Sequence, residues 1–430
     1  MVQQKIFSKM NKTEKNQFLK NVLTIFSGTT IAQIINFSAV IILQRYFYSP
    51  EEYAPFRLFF EFAALFSSVA ALRLESGLVL EREDSRALSL LRICLKYAVI
   101  ISLIGGVIFT LYFINEIKVF QYEWLLIILM PLAIFSNGII QIFRQFFTRS
   151  KNFLTVTTSR VIHSTLGSIS QIVTGLLSFN FTGLVFGRLI GLVSCNINYI
   201  RKYFQKNNWV KKNKTLEKEL IQKHKKFIWY SSPGVFIGNS INLITLIFFT
   251  HYYGEKFSGL LAAAIQYIGL IVMLFSSSFA QVYYNEIAQI KDPKVLYKSY
   301  TYWLKRLFIL TLLGWIILVL IPSSLITSIL GDKWFGLMDT IKIISPWMAI
   351  MFIASSLSYI FIRLKKQKEI FFFDVFHFLL IIITLVSSHY FLNEKNQILY
   401  LLTIVQSVFY VLSIYLALKF LNKNLNKSNS

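Results

Sequence analysis

A succession of apolar runs, each about 20 residues long and separated by short polar stretches, is the feature that most constrains this chain. Runs of that length match the ~30 Å of hydrocarbon that a helix must cross. They are continuous rather than alternating, which points to helices and not a barrel. Of the 430 residues 55% are apolar, 16% aromatic and only 15% charged, too few charges to clothe a water-soluble surface of this size. Read with a window of about 19 residues, the runs predict helices over 22–43, 54–73, 93–114, 124–147, 154–178 and 181–200. A second set is predicted over 228–250, 258–283, 303–321, 340–362, 369–392 and 397–418. The fold class is therefore all-α integral membrane, with about twelve spanning helices.

Charge tests this count. Basic loop residues collect on the cytoplasmic side of a membrane protein. With the N-terminus placed inside, all but eight of the 44 Lys and Arg fall on that side. They include Lys5, Lys9, Lys12, Lys15 and Lys20, and ten more between Arg201 and Lys226. Arg45, Lys118, Lys256, Lys333, Lys342 and Lys395 lie opposite, and Arg57 and Arg188 fall within predicted helices. Both termini are thus expected in the cytoplasm. The net charge of +24 is a topology signal, so nucleic acid is not an expected partner. No short apolar stretch with a small-residue cleavage site follows the basic N-terminus, so no removable signal is expected.

The basic stretch near mid-chain divides the helices into two sets of six. A shift of 206 residues superposes Gly28 on Gly234, Ile35-Asn36 on Ile241-Asn242, and Arg45-Tyr46-Phe47 on His251-Tyr252-Tyr253. A parallel duplication of six helices places a cavity between two bundles; coincidence among aromatic-rich loops is the other reading. The expected organisation is a basic N-terminus (1–20), a first lobe (21–200), a basic linker (201–227), a second lobe (228–418) and a basic tail (419–430). The linker reads first as a topology determinant and second as a contact for anionic membrane lipid. The longest outward loop, Pro322 to Asp339, leaves no room for a soluble domain.

No nucleotide-binding or metalloprotease motif occurs. His163, His224, His251, His377 and His389 lack ligand spacing, as do Cys94 and Cys195. No catalytic set, metal or cofactor is expected, and an enzyme is not. What remains is a handful of ionisable groups at membrane depth, which are costly there and so suggest use. Arg57 and Glu61 share a face of the second helix and can pair. Arg188 lies beside Gly183, Gly187 and Gly191. Arg160 and His163, and Asp374 and His377, form i,i+3 pairs. The bland alternatives are that Arg57 snorkels outward, Arg160 only sets topology, and Asp374 neutralises nearby Lys368 or Arg363. The small residues Ser164, Gly167, Ser168, Ser170 and Gly175, and the run Ser276-Ser277-Ser278, read as helix contacts before cavity walls.

Four motifs carry a resemblance. Ser49-Pro50-Glu51-Glu52-Tyr53, with Ala54 where Gly is usual, is followed by Leu72-Arg73-Leu74-Glu75-Ser76-Gly77-Leu78-Val79-Leu80. Later come a basic, aromatic turn through Arg149, Lys151 and Phe153, and Gly331-Asp332-Lys333-Trp334 with Leu330 replacing the usual Phe. The pattern resembles the polysaccharide-unit flippase (Wzx-type) family of the multidrug/oligosaccharidyl-lipid/polysaccharide exporter superfamily. That resemblance implies two six-helix lobes around a central cavity opening alternately to each side, in a bacterial inner membrane. It implies as substrate an undecaprenyl-pyrophosphate-linked oligosaccharide, moved outward for O-antigen (lipopolysaccharide), capsule or similar polymers. A polymerase and a chain-length regulator would be partners. Arg188, Arg57 and Arg160 are then the candidates to meet pyrophosphate and sugar, with Glu61, Asp374 and His377 as counter-charges or proton-coupling groups; whether a proton or sodium gradient drives the step stays open. The rivals are an ion-coupled drug or metabolite antiporter of the same superfamily and a membrane polysaccharide polymerase or ligase.

Overall fold

The computed structural model describes residues 29–115, 123–205, 213–288, 290–392 and 394–429. The basic residues before 21, Gly28, Lys118 and residues 206–212 of the expected linker lie outside them, as do the side chains of Ser277 and Ser278. The described elements are helices α1 (Thr29–Phe47), α2 (Pro50–Ser67), α3 (Asp84–Asn115), α4 (Glu123–Arg149), α5 (Phe153–Leu176), α6 (Phe181–Phe204) and α7 (Lys214–Lys223). They continue with α8 (Ser232–Ile287), α9 (Pro293–Leu320), α10 (Ser323–Leu330), α11 (Leu337–Leu357), α12 (Tyr359–Arg363), α13 (Gln367–Phe391) and α14 (Lys395–Asn429). Contacts divide the chain into one unit ending at Leu243 and a second beginning at Ile244.

Nine helical segments among the described residues are long and apolar enough to cross a membrane. The expected twelve are reached once three particulars are added. The segment Phe227–Ser276 holds two spans, because the backbone of α8 breaks at Gly254, where φ is +81°. The helices α2 and α5 are too polar to pass on hydropathy alone: α2 carries Glu51, Glu52, Arg57 and Glu61, and α5 is rich in Ser and Thr.

The family-like motifs turn out to be joints. Ser49 caps α2: its hydroxyl accepts from the Glu52 N–H at 3.4 Å, and the Glu52 carboxylate accepts from the Ser49 N–H at 3.0 Å, with Pro50 at the first helical position. This reciprocal cap starts the helix four residues before the expected 54. The helix also stops early, at Ser67, because Leu72 and Arg73 take positive φ values of 51° and 61° and turn the chain into a 3₁₀ helix, Leu74–Leu80. Gly331 (φ +88°) ends α10 and lets the fully buried Trp334 plug the turn before α11. The expected outer loop 322–339 is thus largely ordered as a short helix and a turn.

Arg149, at the end of α4, donates through Nε to the Glu81 carbonyl at 2.8 Å and through Nη2 to the Arg82 carbonyl at 2.9 Å. Two residues on, Lys151 has φ +53°. The second unit repeats the device: Arg363 donates through Nε to the Ile287 carbonyl at 3.0 Å and through Nη2 to the Ile290 carbonyl at 2.6 Å, and Lys365 has φ +58°. In each case an Arg at the end of one half's fourth helix ties down the chain leaving that half's second. These joints lie 214 residues apart, eight more than the shift that aligns the first helices of the two halves. The eight-residue α10 falls between them and matches the difference.

The stretch 201–227, expected as a linker, continues α6 to Phe204 and then forms α7. Leu220 is fully buried, and with Leu216 and Ile221 it packs on the core built from Leu74, Leu78, Leu90 and Phe143. An apolar stripe at i, i+4 and i+5 docks this helix on the first unit. Likewise the tail 419–430 continues α14 to Asn429.

The cap on α2 makes a measurable prediction. Ser49→Ala and Glu52→Ala should each lower stability by about 1 kcal/mol, and the double variant should lose less than the sum, because the two bonds form one unit. Thermal unfolding of the purified protein in detergent reads this; strict additivity would contradict a reciprocal cap.

Candidate functional site

The first unit holds the ionisable groups singled out from sequence on α2, α5 and α6. Glycines set the distance between α5 and α6. A Cβ on Gly191 would stand 2.6 Å from the His163 carbonyl oxygen and 2.8 Å from Gly167 Cα, and one on Gly187 would stand 2.5 Å from the Gln171 nitrogen. The backbones therefore meet where side chains would forbid it. Two cross-links fix the depth: Gln171 Nε2 donates to the Leu184 carbonyl and Thr174 Oγ1 to the Gly183 carbonyl, both at 3.0 Å.

With the glycines spent on α5, the adjacent Arg188 is directed at α2. It lies seven residues, about 10 Å, inside the outward end of α6. Its guanidinium sits 4.7 Å from the centroid of Phe60 and 6.0 Å from that of Phe56, contacts worth up to ~2 kcal/mol in a desolvated setting. On the same helix Arg57 Nη2 donates to Glu61 Oε1 at 2.5 Å. Arg57 and Glu61 neutralise one another, and both lie within electrostatic reach of Arg188. Among the described residues Arg188 has no carboxylate within 4 Å. The group carries one uncompensated positive charge at membrane depth.

Further titratable groups lie toward the cytoplasmic end. His163 on α5 is in electrostatic reach of Arg188. Arg160, one turn below, donates through Nη1 to Thr29 Oγ1 of α1 at 2.5 Å. Sequence reasoning missed Arg144. It is half-buried on α4, in electrostatic reach of Arg160, Tyr199, Glu75 and Arg73. Its signal was present in the segment Ile142 to Phe153, which reads as a helix exit when only Arg149, Lys151 and Phe153 are considered. Below it, burial raises the Glu75 carboxyl above its usual range while Arg73, at 3.4 Å, and Arg144 pull the other way.

Asp374 and His377 belong to the second unit, on α13. His377 Nε2 meets Gln406 Oε1 of α14 at 2.7 Å and its ring stacks on Phe409, centroids 3.5 Å apart. Asp374 is half-buried and in electrostatic reach of Tyr410. It makes no ion pair with Lys368 or Arg363. No three metal-ligating side chains converge among the described residues, and Cys94 and Cys195 are buried and unlinked.

A second charged cluster, missed from sequence, closes the first unit's cytoplasmic end. The buried Glu81 accepts from Lys223 Nζ at 2.7 Å and Arg86 Nε at 3.1 Å, and its Oε1 lies 2.7 Å from His224 Nε2. Gly77 makes room, since a Cβ there would stand 3.0 Å from the His224 ring. Arg86 also donates to Glu219 at 2.7 Å, and Arg149 reaches Asp84 at 2.6 Å. Burial alone would raise the Glu81 carboxyl; the bonds from Lys223, His224 and Arg86 outweigh it and hold the group down at about 2.

These features define a multi-pass membrane protein with a buried, net cationic interior in its first half. The chain belongs to the polysaccharide biosynthesis protein family, which it matches over residues 42–339. The sequence has no match among curated proteins. The fold is similar to that of an inward-facing multidrug resistance MATE family transporter of the MOP superfamily, with a TM-score of 0.70, 16% identity, and 93% of this chain and 96% of that one covered. An outward-facing MATE family transporter gives 0.56 at 14% identity, covering 94% of each chain. A MOP superfamily transporter from Pyrococcus furiosus gives 0.58 at 13% identity, again covering 94% of each; reversed polarity of its binding pocket suggests a different function for that protein.

Because the Glu81 carboxyl is held below its ordinary value of 4.5, its contribution to stability is in place above that value and is lost as pH falls through it toward about 2. Glu81→Gln should therefore lower the thermal midpoint at neutral pH, and the gap to wild type should narrow as pH is taken below 4.5. A gap that stays constant with pH would mean that Glu81 acts by shape and not by charge.

Proposed function

We propose that the protein flips undecaprenyl-pyrophosphate-linked oligosaccharides from the cytoplasmic to the outer leaflet of a bacterial inner membrane, by alternating access, for O-antigen, capsule or related polymers. Membership of a polysaccharide biosynthesis family and an exporter fold support this reading. The observation that carries it is Arg188: a guanidinium at membrane depth, covered by aromatic rings and unmatched by a carboxylate. A pyrophosphate must shed water to cross a low-dielectric interior, and a charge-assisted bond to a guanidinium offsets part of that cost. Arg57 is held beside Arg188 by its bond to Glu61, while Arg160 and Arg144 extend the positive field toward the side where the substrate is made.

In this reading Glu61 is a counter-charge. It keeps Arg57 from repelling Arg188 too strongly without cancelling the site. Asp374, a half-buried acid three residues from His377 and in electrostatic reach of Tyr410, is the group we assign to proton coupling. The polymerase and chain-length regulator act on the product outside the membrane. The antiporter reading has the fold in its favour, but the acids it calls for do not dominate: the one at depth in the first unit, Glu61, is already paired.

The test is deletion in the host, with analysis of surface polysaccharide and undecaprenyl-linked intermediates, and rescue by variants at matched protein level. Wild type should restore polymer. Arg188→Ala should fail, with loss of at least about tenfold in flux for a charge-assisted bond worth 1.5–3 kcal/mol, and intact repeat units should accumulate on the cytoplasmic leaflet. Arg188→Lys should rescue in part, since it keeps the charge but not the planar fork. Normal polysaccharide in the deletion strain would sink the proposal. Full rescue by Arg188→Ala would remove Arg188 from it.

A further inference from the structure

The second unit contains a cleft of about 740 Å³ between the outward halves of α9, α11 and α14, within the size range of small-molecule sites. It takes no part in the transport reading above. Its chemistry is graded along the helix axes. At the mouth stand Asp339 and Lys342, one turn apart on α11, and Asn396 in the first turn of α14. Asp339 is exposed, with one carboxylate oxygen accepting from Ser323 Oγ at 2.9 Å. Lys342 is half-buried and, among the described residues, has no acid within 4 Å.

Deeper in, the walls turn apolar, through Val319, Ile404 and Val408. Trp315 is held against one side by its indole N–H, which donates to Ser345 Oγ at 2.9 Å. Two hydroxyls interrupt this surface. Thr403, about 10 Å below Asn396 at 1.5 Å per residue, is buried and its Oγ1 has no partner; Ser407 Oγ, one turn further, also has none. The cleft opens beside side chains that face the bilayer: Leu313, Ile317 and Leu320 on α9, and Ile404 and Val408 on α14, are all exposed.

We propose that this cleft binds a phospholipid of the outer leaflet and selects a headgroup bearing both a phosphate and a primary ammonium, that is, phosphatidylethanolamine. Lys342 meets the phosphate and Asp339 the ammonium. Side chains three residues apart on a helix are about 5–6 Å apart, a span that a two-carbon ethanolamine bridges. A purely anionic lipid would bring no cation to Asp339, leaving that carboxylate unmatched beside the phosphate. A choline headgroup has no N–H to give that carboxylate. An acyl chain runs down the apolar wall.

The test uses the full-length protein, stripped of lipid in detergent and titrated with synthetic phosphatidylethanolamine, phosphatidylglycerol and phosphatidylcholine of identical acyl chains, with bound lipid counted by native mass spectrometry. Wild type should bind phosphatidylethanolamine about tenfold more tightly than either other lipid, a difference of ~1.4 kcal/mol. Asp339→Asn, at an exposed position where folding is not at stake, should erase the preference over phosphatidylcholine. Lys342→Ala should weaken all three. Equal binding of the three lipids by wild type, a preference for phosphatidylglycerol, or selectivity unchanged in both Asp339→Asn and Lys342→Ala would each overturn the assignment.

Discussion

Holding a guanidinium at membrane depth without a carboxylate is costly, on the order of 3 kcal/mol even by the mildest scale, and much of the first unit is arranged around that cost at Arg188. The glycines at 187 and 191 bring α6 against α5 so closely that no side chain fits between them. Arg188 is thereby committed to the side of α6 that meets α2. There Phe56 and Phe60 present ring faces, which attract a cation without discharging it. Had Glu61 turned to Arg188, the unmatched charge would sit on Arg57 instead; the bond from Arg57 to Glu61 leaves it on Arg188. Close helix packing, aromatic cover and a sequestered acid together leave one positive charge available.

Most of the motif residues serve a different end. They are joints at the ends of helices: a reciprocal cap at Ser49, left-handed turns at Leu72, Arg73 and Lys151, a buried plug at Trp334. The arginine clamp appears once in each unit, at Arg149 and at Arg363, each followed two residues later by a lysine of positive φ. The same local geometry thus occurs at matching places in the two halves of the chain.

Much of the architecture was legible because the bilayer imposes a single length and a single sign rule on every span. The expected helices at 181–200 and 369–392 lie within two to four residues of the observed ends. The boundaries that were missed have local causes: α3 and α9 begin about ten residues early because Asp84, and Asp292 with Pro293, start them in water, where hydropathy has nothing to say. The charges at Arg57, Glu61 and Arg188 could be found because they interrupt apolar runs. Arg144 could not, since it sits among other basic residues near a helix end and only the fold shows it turned inward. The Glu81 cluster was equally hidden, because its members are ordinary loop charges until the fold brings 81 and 223 together.

That last separation bears on how the protein is made. Glu81 is bonded to Lys223 and His224, 142 and 143 residues further along the chain, and four spans lie between. At ordinary elongation rates these partners emerge on the order of ten seconds after Glu81 itself. During that interval only nearby Arg86 is on hand to match its charge, and the bed that receives Leu220 stands open to water. The first half is therefore sealed by a segment synthesised after its last span, and docking of α7 marks the moment at which that half is finished while the second half is still on the ribosome.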